Sequence, residues 1–208
     1  MSSSATGPIG RTDAIHALVR NVVDTRYEDM SEMAVDATKI FILDSLGVAI
    51  AGSLAPGVSE TLGVLRDWGG KRESTVLVSG EKLPAPSSAM MNSFLMHNQE
   101  FDCVHDLAVV HAFTTVLPVA IAVAEAQGGV TGREFLIAVA LGVDVASSIG
   151  ISSRSPIAHF RPGTAGAFGA VAAAGKIAGF DQATLSNAMG IVYSQICGTL
   201  QPHSEGAQ

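Results

Sequence analysis

The sequence predicts an all-α fold, on three observations. Apolar residues recur at helical spacing in segment after segment. Hydrophobic residues make up 48% of the 208-residue chain but aromatic residues only 5%. The apolar content is mostly Ala, Gly, Val, Leu and Ile, which suits closely packed helices better than an aromatic-rich β sandwich. The length allows one substantial core. Residues 1–11 contain no apolar core and read as a flexible tail. Residues 12–208 read as one helical domain, incomplete at its C-terminus, where the polar stretch Gln201 to Gln208 follows directly on an apolar helix.

Thr12 is placed to cap a first helix with Ile15, Leu18, Val19, Val22 and Val23 on its apolar face. Ser31 caps a second, carrying Met33, Ala37, Ile40, Phe41 and Leu43 to Leu46, with Asp44 inside it and in need of a partner if buried. Gly52 and Ala55-Pro56-Gly57 end that helix, and a third, from about Val58 to Trp68, stops at Gly69-Gly70. Ser74 to Ser79 is the one convincing strand-like run. Pro86 opens a helix that continues to about Phe101, and Pro118 falls near the start of the next, which ends at Gly128-Gly129. Thr131 and Glu134 have capping-box spacing and lead a helix to about Ser148. The small residues from Gly163 to Gly175 let neighbouring helices approach closely. A last helix follows Asp181 to about Ile196, and no heptad or longer repeat is evident.

A net charge of −7 argues against a nucleic-acid surface. Cys103 and Cys197 stand far apart and read as reduced thiols. The N-terminus lacks the apolar run of a secretory signal, and no purely apolar run reaches the ~18 residues of a membrane span. The expectation is a soluble, cytoplasmic protein with no nucleic-acid or membrane partner.

Three of the six histidines fall within fifteen residues, His97, His105 and His111, interleaved with Glu100, Asp102 and Asp106. Only 15% of the chain is charged, and apolar sequence flanks this stretch on both sides. Titratable groups in an apolar frame have their pKa values pushed apart, as proton transfer requires. A polar helix end followed by a solvated loop would look the same. His97 and Glu100, three apart, share a helix face, whereas Asp102 joins them only if the helix unwinds. His, Asp and Glu at mixed spacing can also ligate a metal, but there is neither His-Glu-x-x-His nor Glu-x-x-His here. Further along, His159-Phe160-Arg161-Pro162-Gly163-Thr164 precedes a helix. Its terminal amides and Arg161 could hold a carboxylate or phosphate, or Arg161 could be a surface charge and the glycines packing.

Together these segments resemble the MmgE/PrpD family. The likeness is carried by Leu43-Asp44-Ser45-Leu46-Gly47-Val48-Ala49-Ile50-Ala51-Gly52, then Asn92, His97, Phe101-Asp102 and His111. It continues through Leu117-Pro118, Ala124-Glu125, Gly132-Arg133, Gly163-Thr164, Gly166-Ala167-Phe168-Gly169 and Glu205-Gly206. The resemblance implies a large all-helical domain, with a smaller α+β lid drawn from the later half of a chain roughly twice this length and absent here. It also implies a homodimer with no metal or organic cofactor, and a small di- or tricarboxylate substrate deprotonated beside a carboxylate. The implied reaction is that of a lyase, a dehydratase of the 2-methylcitrate type. A decarboxylase or epimerase of the same family, or a non-catalytic helical dimerisation fragment, is the alternative.

Carried over by residue, His111 matches the family histidine after the acidic motif, His159 a second site histidine and Asp102 a site aspartate. The expected catalytic set is therefore His111, Asp102, His97, Glu100 and His159. The expected substrate-binding set is Arg161, Gly163, Thr164, His203 and Glu205. Where the family has Leu-Asp-Phe-Asp-Asp-Thr this chain has Gln99-Glu100-Phe101-Asp102-Cys103-Val104, so Glu100 replaces an aspartate and Val104 a threonine. The family lysine would fall just beyond Gln208. The resemblance thus implies an active complete protein and an inactive isolated 208-residue chain.

Overall fold

A computed structural model describes residues 13–200 apart from 155, 156 and 158. Among these, eight helices and a two-stranded hairpin follow one another: α1 (Ala14–Asp24), α2 (Glu32–Gly52), α3 (Val58–Trp68), β1 (Ser74–Thr75), β2 (Lys82–Leu83), α4 (Ala85–His97), α5 (Ala112–Ala126), α6 (Gly132–Ser152), α7 (Ala167–Ile177) and α8 (Gln182–Gln195). The all-α expectation holds. The strands pair antiparallel, Ser74 with Leu83 and Thr75 with Lys82, so the strand-like run contributes only its first two residues. The expected tail, the Thr12 cap, His203 and Glu205 lie outside the described residues.

Helix starts follow cap chemistry. Asp13 caps α1 by accepting from the Ile15 amide, and Ser31 caps α2 through Ala34. Thr131 and Glu134 form the reciprocal box that opens α6, and Asp181 caps α8. Three boundaries differ from the sequence reading, α6 running to Ser152 rather than about Ser148. α4 stops at His97 rather than near Phe101, because Glu100 takes a left-handed φ of 52° that no helix continues through. α5 begins at Ala112 rather than near Pro118, which lies within it and cannot donate to the carbonyl of Thr114. Asp44 faces solvent and needs no buried partner.

α5 is the central rod, packed on α4, α6 and α7. One core cluster joins α2 to α5 and the hairpin through Leu65, Val76, Met91, Leu95, Val116 and Leu117. A second joins α1, α6, α7 and α8 through Val19, Val22, Leu141, Val145, Leu185 and Met189. α6 and α7 cross at Gly142 and Gly169. A Cβ on Gly142 would sit 2.6 Å from Val116 and 2.8 Å from the Gly169 carbonyl, so only glycine permits this approach. α6 is long and apolar enough to cross a membrane by length and composition, but half of that stretch is buried inside the fold. Lys176 of α7 donates to the carbonyls of Val23 and Thr25 at 3.0 and 2.7 Å, capping the C-terminus of α1.

Candidate active site

The loop between α4 and α5 folds back on itself. The His105 amide donates to Val110, the Val109 amide to His105, and the Ala108 amide to the His105 ring. Val109, β-branched, is held at a φ of 49°, a strained conformation of the kind concentrated at functional sites. Arg161 clamps the loop from outside, donating to the carbonyls of Ala108 and Gly150. Gly150 leaves the room for this, since a Cβ there would lie 2.8 Å from Ala108.

This fold places Asp102 between the end of α4 and the start of α5, with its side chain only 1% exposed. His97 Nδ1 lies 3.0 Å from one carboxylate oxygen. His111 Nδ1 lies 3.0 Å from the other, which also accepts from the Thr114 hydroxyl. Burial pushes the Asp102 carboxyl up. The hydrogen bonds from His111, His97 and Thr114, with the charge of His97, outweigh burial and hold it well below the usual carboxylate range. Asp102 is therefore ionised and can only accept, so both Nδ1 atoms carry hydrogen. The same hydrogen bond, with the charges of Asp102 and Glu100, raises the His111 pKa against its burial.

Both Nε2 atoms face Glu100, at 3.5 Å from His97 and 4.0 Å from His111. The rings meet nearly edge-on, 4.9 Å between centroids, and Phe160 packs 6.0 Å from His97. Two imidazoles this close repel when both are charged. One ligand atom each from His97, Asp102 and His111 lies within 4.8 Å of the others, so these side chains could also hold a metal. Cys103, next in the chain, has its thiol pushed up to about 11 by burial and by the charges of Asp44 and Asp102, which makes it a poor nucleophile.

The structure thus brings together His97, Glu100, Asp102 and His111 from the expected catalytic set. His159 stands apart, exposed, in a bridge to Thr199. With Arg161, Thr164 and Tyr193 it lines a cavity of about 400 Å³ whose described lining includes none of the Asp102 cluster. Arg161 is engaged by backbone carbonyls, the Thr164 hydroxyl bonds back to Phe160 and Arg161, and Gly163 packs beneath the Cys197 carbonyl. Sequence reasoning missed Thr114 and Phe160. Thr114 could have been found: it is a polar residue at i+3 from His111 in a run that is otherwise almost wholly apolar. Nothing in the sequence marks Phe160.

The helical domain seats two imidazoles side by side on one buried carboxylate. The chain belongs to the MmgE/PrpD family: residues 16–208 match the family model of the MmgE/PrpD N-terminal domain. It is 24% identical over 195 residues to the cis-aconitate decarboxylase-like protein oryM of Aspergillus oryzae, covering 89% of this chain and 40% of that protein. It is 26% identical over 187 residues to the cis-aconitate decarboxylase of Aspergillus terreus, covering 86% of this chain and 38% of that protein. The chain therefore spans about two fifths of the length of these relatives.

Proposed function

We propose that this chain carries the acid–base half of a lyase that acts on a small di- or tricarboxylate by removing a proton beside a carboxylate. The observation behind this reading is the Asp102 carboxylate gripping His97 and His111 through Nδ1, which turns Nε2 of either ring towards Glu100, where it can take or return a proton. His111 serves as the principal proton-transfer group, His97 as its counterpart, and Asp102 as the anchor of both. Glu100, facing both Nε2 atoms, marks where the reacting carbon sits and tunes the charge there. The proton transfer needs no metal or organic cofactor, because the imidazoles carry it.

Dehydration of the 2-methylcitrate type is the first form of this reading. The names of the relatives favour a second, decarboxylation, in which the proton is delivered to carbon after CO2 leaves. Both use the same imidazole pair and belong in a cytoplasmic setting.

The test is to assay 2-methylcitrate, citrate and cis-aconitate with the full-length protein, its His111→Ala variant and the 208-residue chain. His111→Ala should lower kcat by ~10²–10⁴-fold with a smaller change in KM, and the 208-residue chain should turn over poorly. Turnover unchanged in His111→Ala removes that histidine from the mechanism. A full-length protein inert on all three acids, with no solvent-proton exchange into them, favours the non-catalytic helical fragment.

A further inference from the structure

The outer side of the Asp102 cluster gathers acceptors. With both Nδ1 hydrogens donated to Asp102, each ring in its neutral form turns a lone pair outward at Nε2. Those two lone pairs meet the Glu100 carboxylate, at 3.5 Å from His97 and 4.0 Å from His111. Three acceptors then face one another with no hydrogen between them, an arrangement that repels unless something positive sits in the middle. Glu100 reaches this position through a left-handed φ of 52°, a conformation that costs a non-glycine residue free energy and that a bound ion would offset.

We propose that Nε2 of His97, Nε2 of His111 and the Glu100 carboxylate form a binding site for a divalent transition ion, zinc fitting best. Two imidazoles and a carboxylate with one position left open are a zinc ligand set, whereas magnesium and calcium prefer oxygen ligands throughout. Ligands ~2.0–2.1 Å from a tetrahedral zinc lie ~3.3 Å from one another. The separations of 3.5 and 4.0 Å are only slightly wider, and the Glu100 side chain, 41% exposed, has the freedom to close them and leaves the ion a way in.

Asp102 supplies the outer partner that such sites use. Ligating histidines are oriented by donating the other ring N–H to a carboxylate, and one buried carboxylate does this for both rings. An ion placed on the Asp102 side instead would displace both Nδ1 hydrogens and disturb the Thr114 contact. On the Glu100 side it displaces neither. An ion here takes both Nε2 lone pairs, so, resting on the acid–base reading above, it blocks proton transfer: zinc is an inhibitor at this site and not a cofactor.

Titration calorimetry of zinc chloride into the untagged, metal-free 208-residue chain tests the site, in a Cys103→Ser, Cys197→Ser background that removes the thiols. The expected result is one ion per chain, with magnesium giving no heat. Glu100→Gln and His111→Ala should each weaken binding at least tenfold, and Asp102→Asn by ~10–100-fold without touching the ion. His159→Ala should leave binding unchanged. Glu100 is exposed, so its variant leaves the core and the helical circular dichroism intact. In the ¹¹³Cd-loaded, ¹⁵N-histidine-labelled chain, cadmium coupling should appear at Nε2 of both rings while Nδ1 keeps its hydrogen. No binding up to about 100 µM zinc overturns the proposal, as does binding indifferent to Glu100→Gln. Coupling at Nδ1 overturns the ligand assignment. In a full-length protein that turns over one of the three acids, zinc should inhibit at the concentration that fills the site. Undiminished turnover with zinc bound overturns the blocking role. Turnover that requires zinc overturns the metal-free reading of the reaction while the site stands.

Discussion

His97 and His111 grip opposite oxygens of a single carboxylate, each through Nδ1 at 3.0 Å. The contact spans two helix ends: His97 closes α4 and His111 stands immediately before α5. Asp102 therefore fixes both rings at once, and a change at this one residue reaches both. Loss of the carboxylate should be felt as a change of hydrogen position before it is felt as a change of shape.

The first consequence is spectroscopic. In ¹⁵N-detected spectra of the imidazoles above their titration range, both rings should show the Nδ1–H tautomer, the form an ionised Asp102 imposes. Asp102→Asn should shift both towards mixed tautomers while leaving the helical signal unchanged. An Nε2–H form in the unaltered protein would mean that the lone pair points at Asp102 and not at a substrate.

The pH dependence of stability follows from the two shifts. Asp102 is depressed in the folded state, so its contribution is present above its unfolded value of ~3.9 and lost as pH falls through its folded value. His111 is raised, so its contribution is full below its unfolded value of ~6.5 and lost as pH rises through its folded value. The cluster should contribute most between about pH 4 and 6.5. Tm measured across pH should show this window, and Asp102→Asn should flatten both edges. A variant curve parallel to that of the unaltered protein contradicts the assignment.

Thr114, 3% exposed, gives Asp102 its third hydrogen bond. Thr114→Val should lower unfolding free energy in urea by about 1.5–3 kcal/mol, the range for a hydrogen bond to a charged group, and Thr114→Ser should restore most of it. Equal losses in the two variants would assign the effect to packing of the methyl group instead.

The helical glycines divide by what surrounds them. Gly142→Val drives a side chain into Val116 and the Gly169 backbone and should cost about 1–3 kcal/mol or more, or prevent folding. Gly63→Ala in α3 meets nothing within 4 Å and should stabilise by about 0.5–1 kcal/mol. Thermal denaturation of the two variants should move in opposite directions.

Much of this fold was legible because helix signals are local. The caps at Ser31, Thr131 and Asp181 stand where the sequence places them, and α3 spans the expected Val58 to Trp68. The helix–helix crossings were legible only in part: the small residues after Gly163 announce a close approach, but Gly142, the partner on α6, does not. The density of titratable groups marked the site. Its internal order was hidden, because it depends on where α4 stops. Glu100 in a left-handed conformation turns Asp102 back between two histidines, and no propensity argues for glutamate in that role. Arg161 looks in sequence like a ligand for an anion, yet the structure places it on the carbonyls of Ala108 and Gly150.

The ammonium of Lys176 rests on carbonyls at the end of α1, 153 residues upstream at Val23. During synthesis α1 leaves the ribosome before the other described helices, and its last turn then waits for a cation that has not yet been made. At ~5–20 residues per second the wait is on the order of ten to thirty seconds. For most of that interval Val19 and Val22 lack α6 to cover them, and α8 follows only after Lys176 has been made. α1 is thus made well before the helices and the cation that seat it, so its docking is a late event in the folding of this domain.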